Sequence, residues 1–149
     1  MTHQASASRL QRRLSAIDDS WLVISTLLGA IGVVVGVYLP WLQVDPAREV
    51  NRLVYLPGMS SGHEVDVTLV LFLFITVSLA TSVLRVRSRF TGVFLLFTGL
   101  CTIGLPAYLL IDIYVGYGGE FLPHVCSLLT IFGGTVLLIT GIVVLVDKL

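Results

Sequence analysis

The chain has 149 residues, of which 56% are hydrophobic and only 12% are charged, and its mean hydropathy is +0.96. This composition leaves too little polar surface to cover a water-soluble globule, so a lipid bilayer is the expected solvent. The formal net charge is zero, which gives no reason to expect nucleic acid as a partner.

The N-terminal segment 1–19 is predicted to be a cytoplasmic basic amphipathic tail. Residues 1–8 are small and polar, and we expect them to be disordered. Four apolar residues then recur at helical spacing, namely Leu10, Leu14, Ile17 and Trp21. Three arginines lie off that stripe, Arg9, Arg12 and Arg13. The pattern indicates a short helix lying on the inner leaflet, with anionic lipid as its partner. Alternatively, the arginines act only as a topology signal.

Four stretches without charged residues follow. They lie between Asp19 and Asp45, Asp66 and Arg85, Arg89 and Asp112, and Glu120 and Asp147. Each holds about 18 residues or more, which lets an α-helix cross roughly 30 Å of hydrocarbon. They predict transmembrane helices at 21–39, 67–84, 90–111 and 125–146, with outer loops at 40–65 and 112–124.

The orientation of these spans follows from the basic residues beside them, because cytoplasmic loops are enriched in Lys and Arg. One side carries Arg9, Arg12, Arg13, Arg85, Arg87, Arg89 and Lys148, whereas the other carries Arg48 and Arg52. The expected fold is therefore all-α: a single-domain, integral membrane four-helix bundle, up-down-up-down, with both termini cytoplasmic. The expected location is the cell membrane.

The first outer loop allows two local structures. Asp45-Pro46 is typical of a helix start and favours a short surface helix after it. The alternative is a β-hairpin that pairs residues 41–44 with 53–56. Aromatic residues near the predicted span ends are expected to anchor the chain at the lipid headgroups. They are Trp21, Trp41, Tyr108, Tyr114 and Tyr117.

Small residues form stripes along three of the predicted helices. The first helix carries Ser25, Gly29, Gly32 and Gly36, the third carries Gly92 and Gly99, and the fourth carries Ser127, Thr130, Gly134 and Gly141. Helices in lipid associate through close approach at such residues, so these stripes predict helix packing in a ring in chain order. Packing within the chain and packing between copies in a homo-oligomer are both compatible with the pattern.

The predicted outer face carries candidate metal ligands. His63, Glu64, Asp66, Asp112 and His124 supply nitrogen and carboxylate ligands of the kind that zinc binds. They show no fixed ligand spacing, and the alternative is that these residues are solvated by water at the interface. We therefore expect no metal and no other cofactor.

Catalysis is not expected. No ionisable residue lies near the middle of any predicted span, which argues against a proton-coupled pump or a voltage sensor. The chain has no C-x-x-C redox pair. Its two cysteines, Cys101 and Cys126, differ in predicted depth by roughly 10 Å, too far for a disulfide.

The layout resembles small prokaryotic four-helix membrane proteins. The residues that carry the resemblance are the Leu39-Pro40-Trp41 step after the first helix, and Gly133-Gly134 followed by an apolar run to Gly141. This resemblance implies an architecture and no activity. Claudin-like tetraspan proteins share the four passes and a tryptophan after the first helix. Their Gly-Leu-Trp step and paired loop cysteines are missing here, so junction formation is not implied.

The leading functional hypothesis is a non-enzymatic membrane protein that acts through helix or outer-loop contacts, as an accessory subunit or small scaffold. Its partner would be another membrane protein or a second copy of the chain. The alternative hypothesis is an oligomeric channel or transporter with an acidic outer mouth.

Overall fold

The fold is known from a computed structural model, which describes residues 2–47, 55–64, 68–84 and 88–147, and the side chains of all of these except residues 2–19 and His63. Four α-helices follow one another along the chain: α1 (Thr2–Tyr38), α2 (Thr68–Val83), α3 (Arg89–Gly116) and α4 (Val125–Val146). Two three-residue strands, β1 (Leu42–Val44) and β2 (Phe121–Pro123), lie before α2 and before α4. The all-α prediction is confirmed.

Three of the four helices are long and apolar enough to cross a membrane. They are the segment Ser20–Tyr38 of α1, all of α3 and all of α4. The fourth, α2, has 16 residues and is about 24 Å long, shorter than a typical hydrocarbon core. Residue 67, where its predicted span of 67–84 begins, and residues 85–87 after that span lie outside the described part of the chain.

Helix α1 corrects the prediction for the N-terminal segment. It is one continuous helix of 37 residues, about 55 Å long, that begins at Thr2. Residues 2–19 are therefore neither disordered nor a helix separate from α1, because α1 has no break at which it could turn. The physical reason is in the sequence: no proline or glycine occurs between Met1 and Gly29. Contact of this segment with anionic lipid stays a prediction.

Helix α3 is longer than predicted at its outer end. It runs through Pro106 and ends at Gly116, where Tyr117 donates its backbone N–H to the Ile113 carbonyl (3.0 Å). Asp112 therefore lies in the helix and not in a loop. The helix stops where Gly118 and Gly119 adopt positive φ angles of 60° and 79°, a backbone conformation that glycine adopts without strain.

The helices form a ring in chain order, in which each contacts the next and α4 contacts α1. The start of α4 is bonded to the chain just after α1, since His124 N–H donates to the Trp41 carbonyl (2.8 Å). At the opposite end, Gly92 near the start of α3 faces Leu145 near the end of α4. Neighbouring helices therefore run antiparallel.

Glycines allow α1 and α4 to approach each other closely. A Cβ on Gly133 would lie 2.6 Å from both the Gly29 carbonyl oxygen and the Val33 backbone nitrogen. A Cβ on Gly36 would lie 2.6 Å from the Thr130 backbone nitrogen. Because real Cβ atoms do not approach backbone atoms so closely, larger residues at these positions would force the helices apart.

Glycines also allow α3 and α4 to approach each other closely, on another face of α4. A Cβ on Gly99 would lie 2.6 Å from the backbone nitrogen of Leu138, and one on Gly141 would lie 2.5 Å from that of Leu96. Gly134 faces the side chain of Thr102. Helix α4 thus has a glycine-lined face toward each of its neighbours, which makes it the central packing element of the bundle.

Helix α2 is held differently, through buried hydroxyl groups. Ser82 donates from Oγ to Thr26 Oγ1 on α1 (3.1 Å), and Ser78 Oγ lies 3.2 Å from Thr98 Oγ1 on α3. All four side chains are completely buried. These two hydrogen bonds connect α2 to both of its neighbours.

We expect Ser82→Ala and Thr26→Val to be coupled in a double-mutant cycle. The coupling free energy should be about 0.5–1.5 kcal/mol, the usual range for a hydrogen bond between helices in a membrane. It is measured from unfolding of the four proteins in mixed micelles. Thr81 provides the matched control, because its hydroxyl bonds only to carbonyls of its own helix. Coupling of similar size between Thr81→Val and Thr26→Val would contradict this account.

Candidate functional site

One end of the bundle carries a structured cap, which we call the outer cap. It consists of β1, β2 and the segment 55–64. Strands β1 and β2 pair in antiparallel register, with Leu42 opposite Pro123 and Val44 opposite Phe121. Beyond the strands, Asp45 N–H donates to the Glu120 carbonyl (2.9 Å). The cap therefore joins the two predicted outer loops into one unit.

This pairing corrects the prediction for the first outer loop. Residues 42–44 do form a strand, and their partner among the described residues is 121–123. Of the predicted partner 53–56, residues 55 and 56 are in no strand, and residues 53 and 54 lie outside the description. The alternative prediction, a surface helix after Asp45-Pro46, falls mostly on residues 48–54, outside the described residues. Asp45 Oδ1 accepts the Ala47 N–H (2.9 Å), which is the hydrogen bond that an aspartate makes at such a turn.

Trp41 contacts both the segment 55–64 and the end of α1, and its predicted role as an interface anchor was wrong. It is 1% exposed, so it does not lie among lipid headgroups as an interface anchor. Its indole Nε1 donates to the Gly36 carbonyl near the end of α1 (2.9 Å), and that carbonyl also accepts the Leu39 N–H (3.3 Å). A Cβ on Gly62 would overlap the indole ring, so Gly62 leaves the room that Trp41 occupies.

The segment 55–64 is fastened to β1 through Gly58. Its carbonyl accepts the N–H groups of Trp41 (2.8 Å) and Leu42 (3.2 Å). Its own N–H donates to Glu64 Oε2 (3.0 Å), and its φ of 97° favours glycine. Gly62 N–H donates to the Leu39 carbonyl (3.1 Å), which ties the segment to the end of α1 as well.

A small apolar cluster supports the cap from below. Its buried members are Leu42, Ile113 and Phe121, and Leu56, Met59, Leu109 and Leu110 pack against them. The cluster joins both loops to the last turns of α3. Because about 26 loop residues cannot form a core of their own, this contact with helix ends is what gives the cap a fixed structure.

Glu64 holds the segment together from a second side. Tyr55 donates its hydroxyl to Glu64 Oε1, and this hydrogen bond to the carboxylate is the largest cause that raises the Tyr55 pKa above 10.0. A raised folded-state pKa means that the interaction stabilises the cap below pH 10 and is lost as the pH rises through the higher folded-state value.

We expect Glu64→Gln to lower the Tyr55 pKa toward its ordinary value, because the charged acceptor is removed. The measurement is the tyrosinate absorbance as the pH is raised, taken as the difference between each protein and its Tyr55→Phe counterpart. Asp112→Asn is the control, since it changes an exposed carboxylate on α3 by the same chemistry. An unchanged Tyr55 titration in Glu64→Gln would contradict the assignment.

The described members of the five candidate metal ligands do not form a group in the structure. No cluster of three or more His, Cys, Asp or Glu side chains is found among the described residues. Glu64 binds Gly58 and Tyr55, whereas His124 Nδ1 accepts the Cys126 N–H (3.2 Å) as the N-cap of α4. Asp112 is exposed on α3. The side chain of His63 and all of Asp66 lie outside the description.

The remaining predicted interface anchors are exposed. Trp21 is near the end of the bundle opposite the cap, and Tyr108, Tyr114 and Tyr117 lie at the cap end. The ring of Tyr117 makes an edge contact with Phe121, with centroids 5.4 Å apart. Of the predicted topology residues, Arg9, Arg12 and Arg13 lie on α1 with undescribed side chains, Arg85 and Arg87 lie outside the description, and Arg89 is exposed at the start of α3.

The predicted packing residues lie on the helix faces described above or beside them. Gly29, Gly32 and Gly36 face α4, and Gly92 and Gly99 face it from α3. Ser25 and Ser127 donate to carbonyls three residues earlier, at Leu22 (3.2 Å) and His124 (2.7 Å). Thr130 is buried against Gly36, and its Oγ1 has no hydrogen-bond partner.

Several important residues were not predicted. Gly133 makes a close contact with α1, and the Gly133-Gly134 pair in the sequence was a usable signal for it. Gly58 and Gly62 gave no such signal, because their role depends on Trp41 being folded against them. Ser78, Ser82 and Thr26 belong to a buried hydroxyl set. Within the described chain, every buried polar residue is a serine or threonine.

The chain matches no family model, no curated protein and no solved structure.

Proposed function

We propose that the chain is a four-pass protein of the cell membrane, with both termini cytoplasmic and the outer cap on the opposite side. The three long apolar helices support this proposal. Further support comes from the outer surface of the bundle, which exposes large apolar side chains on all four helices, for example Ile24, Leu69, Phe97 and Leu128. Such a surface suits lipid as the surrounding solvent.

Helix α2 crosses the membrane in this proposal although it has only 16 residues. Its last turns lie beside the inner part of α1, through Ser82 and Thr26, and the chain just before it lies beside the outer end of α1, through Gly62 and Leu39. It thus runs the same way across the bundle as α4. A short span is accommodated by local thinning of the bilayer at modest cost.

We further propose that the protein acts through contacts, as an accessory subunit or small scaffold, with the outer cap as its contact surface. One observation carries this proposal: two loops far apart in sequence are joined by β1 and β2 and fixed to the helix ends by Trp41. A preformed surface loses little conformational entropy on binding, which favours recognition of a partner.

A photo-crosslinking amino acid placed at Gln43, an exposed position of β1 in the cap, tests this proposal in native membranes. We expect a discrete protein adduct that disappears when Trp41→Ala disrupts the cap. The matched control is the same amino acid at Leu69, which is exposed on α2 and would face lipid. Equal adducts at both positions, or none at Gln43, would refute the proposed contact surface.

The channel hypothesis rests on acidic residues at the outer mouth. Of these, Glu64 is bonded to Gly58 and Tyr55, and Asp112 is on the exposed side of α3. Neither arrangement favours a cation path through the bundle. Ion flux in liposomes that responds to Asp112→Asn would nevertheless support a channel over a contact protein.

A further inference from the structure

Helix α1 extends well past the rest of the bundle at its inner end. Gly36 faces Thr130, and Gly29 faces Gly133 and Leu137. The two helices are therefore antiparallel, and each residue earlier in α1 lies level with one residue later in α4. By this register the end of α4 at Val146 is roughly level with Ser20. Residues 2–19 therefore form a helical extension, about 27 Å long, beside which no described part of the chain lies.

The extension carries an apolar seam with heptad spacing. Leu10, Leu14, Ile17 and Trp21 are separated by four, three and four residues, the spacing of positions a and d in a coiled coil. Because α1 is continuous, the same spacing continues through the segment Ser20–Tyr38, which is long and apolar enough to cross a membrane. The residues there are Ile24, Leu28, Ile31, Val35 and Tyr38, and all of them are exposed.

This continuity places the seam on the side of α1 that the bundle leaves uncovered. The face that packs inside the chain is a different one, formed by Leu22, Thr26, Ala30, Val33 and Val37. In the membrane, lipid can cover the exposed residues of the seam. In the extension beyond the membrane, an apolar seam on a helix surrounded by water is unfavourable unless another surface covers it.

We propose that a second copy of the chain covers this seam, so that two α1 extensions form a parallel coiled coil on the cytoplasmic side. With Leu14 and Trp21 at position a and Leu10 and Ile17 at position d, Arg13 occupies position g and Asp18 occupies the following position e. In a parallel pair, position g of one helix meets the following e of its partner. Arg13 and Asp18 are thus of opposite charge where the two copies meet.

The inference rests on the proposed membrane location, which makes the two helices parallel because both copies insert in the same orientation. About two heptads form a weak coiled coil in solution. Confinement of both helices to one membrane raises their effective concentration and compensates for the short seam. A helix bound along an anionic leaflet fits less well, because α1 is unbroken and because Asp18 and Asp19 would be repelled.

The test uses charge reversal with disulfide crosslinking in native membranes. Ala7, which occupies the position a that precedes Leu14, is changed to cysteine in a Cys101→Ala, Cys126→Ala protein. A mild oxidant is then added. The variants are Arg13→Asp, Asp18→Arg and the two together. Arg12→Asp and Asp19→Arg are matched controls, because both residues occupy position f on the far side from the seam.

We expect the parent to form crosslinked dimers and each single reversal at Arg13 or Asp18 to reduce them roughly tenfold, because two ion pairs become two repulsions. The double reversal should restore the dimer, and the controls should resemble the parent. Equal loss in Arg12→Asp and Arg13→Asp, or no recovery in the double reversal, would overturn the proposal. Membrane pelleting of each variant tests the membrane location separately, so its failure is distinguishable from failure of the dimer.

Discussion

Changing Gly133 to alanine should destabilise the protein by about 2–3 kcal/mol, because one methyl group would meet the backbone of α1 on two sides. The added Cβ would lie 2.6 Å from the Gly29 oxygen and the Val33 nitrogen, and neither can move without displacing the helix. The expected result is separation of α1 from α4 at this contact. It is measured as the free energy of unfolding in mixed micelles, followed by circular dichroism.

The control for this change is Gly104→Ala in α3. A Cβ there would find nothing within 4 Å, so no steric cost arises. Alanine has a higher helix propensity than glycine, and the variant should be unchanged or more stable by about 0.5–1 kcal/mol. If both variants lost the same stability, close helix contact would not be the reason that glycine occupies position 133.

Changing Trp41 to alanine should cost about 3–5 kcal/mol and should release the outer cap from the bundle. The substitution removes a fully buried indole and leaves the Gly36 carbonyl without its side-chain donor. Amide hydrogen exchange measures the local effect. The N–H groups of Asp45 and His124, which bridge the two loops, should lose protection together.

Two further variants separate the causes of that loss. Trp41→Phe keeps most of the apolar volume and removes the hydrogen bond, so it should cost about 1 kcal/mol plus the effect of the smaller ring. Trp21→Ala removes a tryptophan that is 42% exposed and should leave Asp45 and His124 protected. Loss of cap protection in Trp21→Ala would show that the cap does not depend on Trp41 in particular.

The helices were predictable because their physical cause is local. A run of apolar residues without charge can be recognised directly in the sequence, and four such runs predicted the four helices. The small-residue stripes were also visible, since Gly29, Gly32 and Gly36 repeat on one face of α1. Which neighbour each stripe meets was not visible, because that depends on how four separate helices turn toward one another.

The outer cap was not predictable because its contacts are distant in sequence. A hairpin with residues 53–56 was the only nearby pairing for 41–44, whereas the partner strand is Phe121–Pro123. The position of Trp41 beside a predicted span end favoured an interface anchor. Its burial depends on Gly58 and Gly62, whose backbones pack on it only when the cap is formed.

The possible metal ligands illustrate a related difficulty. The sequence places His63, Glu64 and His124 near the predicted outer ends of helices. Because such ends lie close together in a bundle, the three side chains could be expected to meet at one metal ion. In the folded chain, Glu64 binds a backbone N–H and a tyrosine, and His124 caps α4. A polar side chain near a helix end often satisfies the backbone there, and sequence alone does not distinguish that role from ligand binding.

The four-pass arrangement requires that α2 cross the membrane. Single cysteines at Ser60, before α2, and at Ser88, after it, test this in a Cys101→Ala, Cys126→Ala protein, with a reagent that cannot pass the membrane of intact cells. We predict labelling at Ser60 from outside, and labelling at Ser88 only after the cells are permeabilised. Labelling of both positions from the same side would contradict the four-pass arrangement.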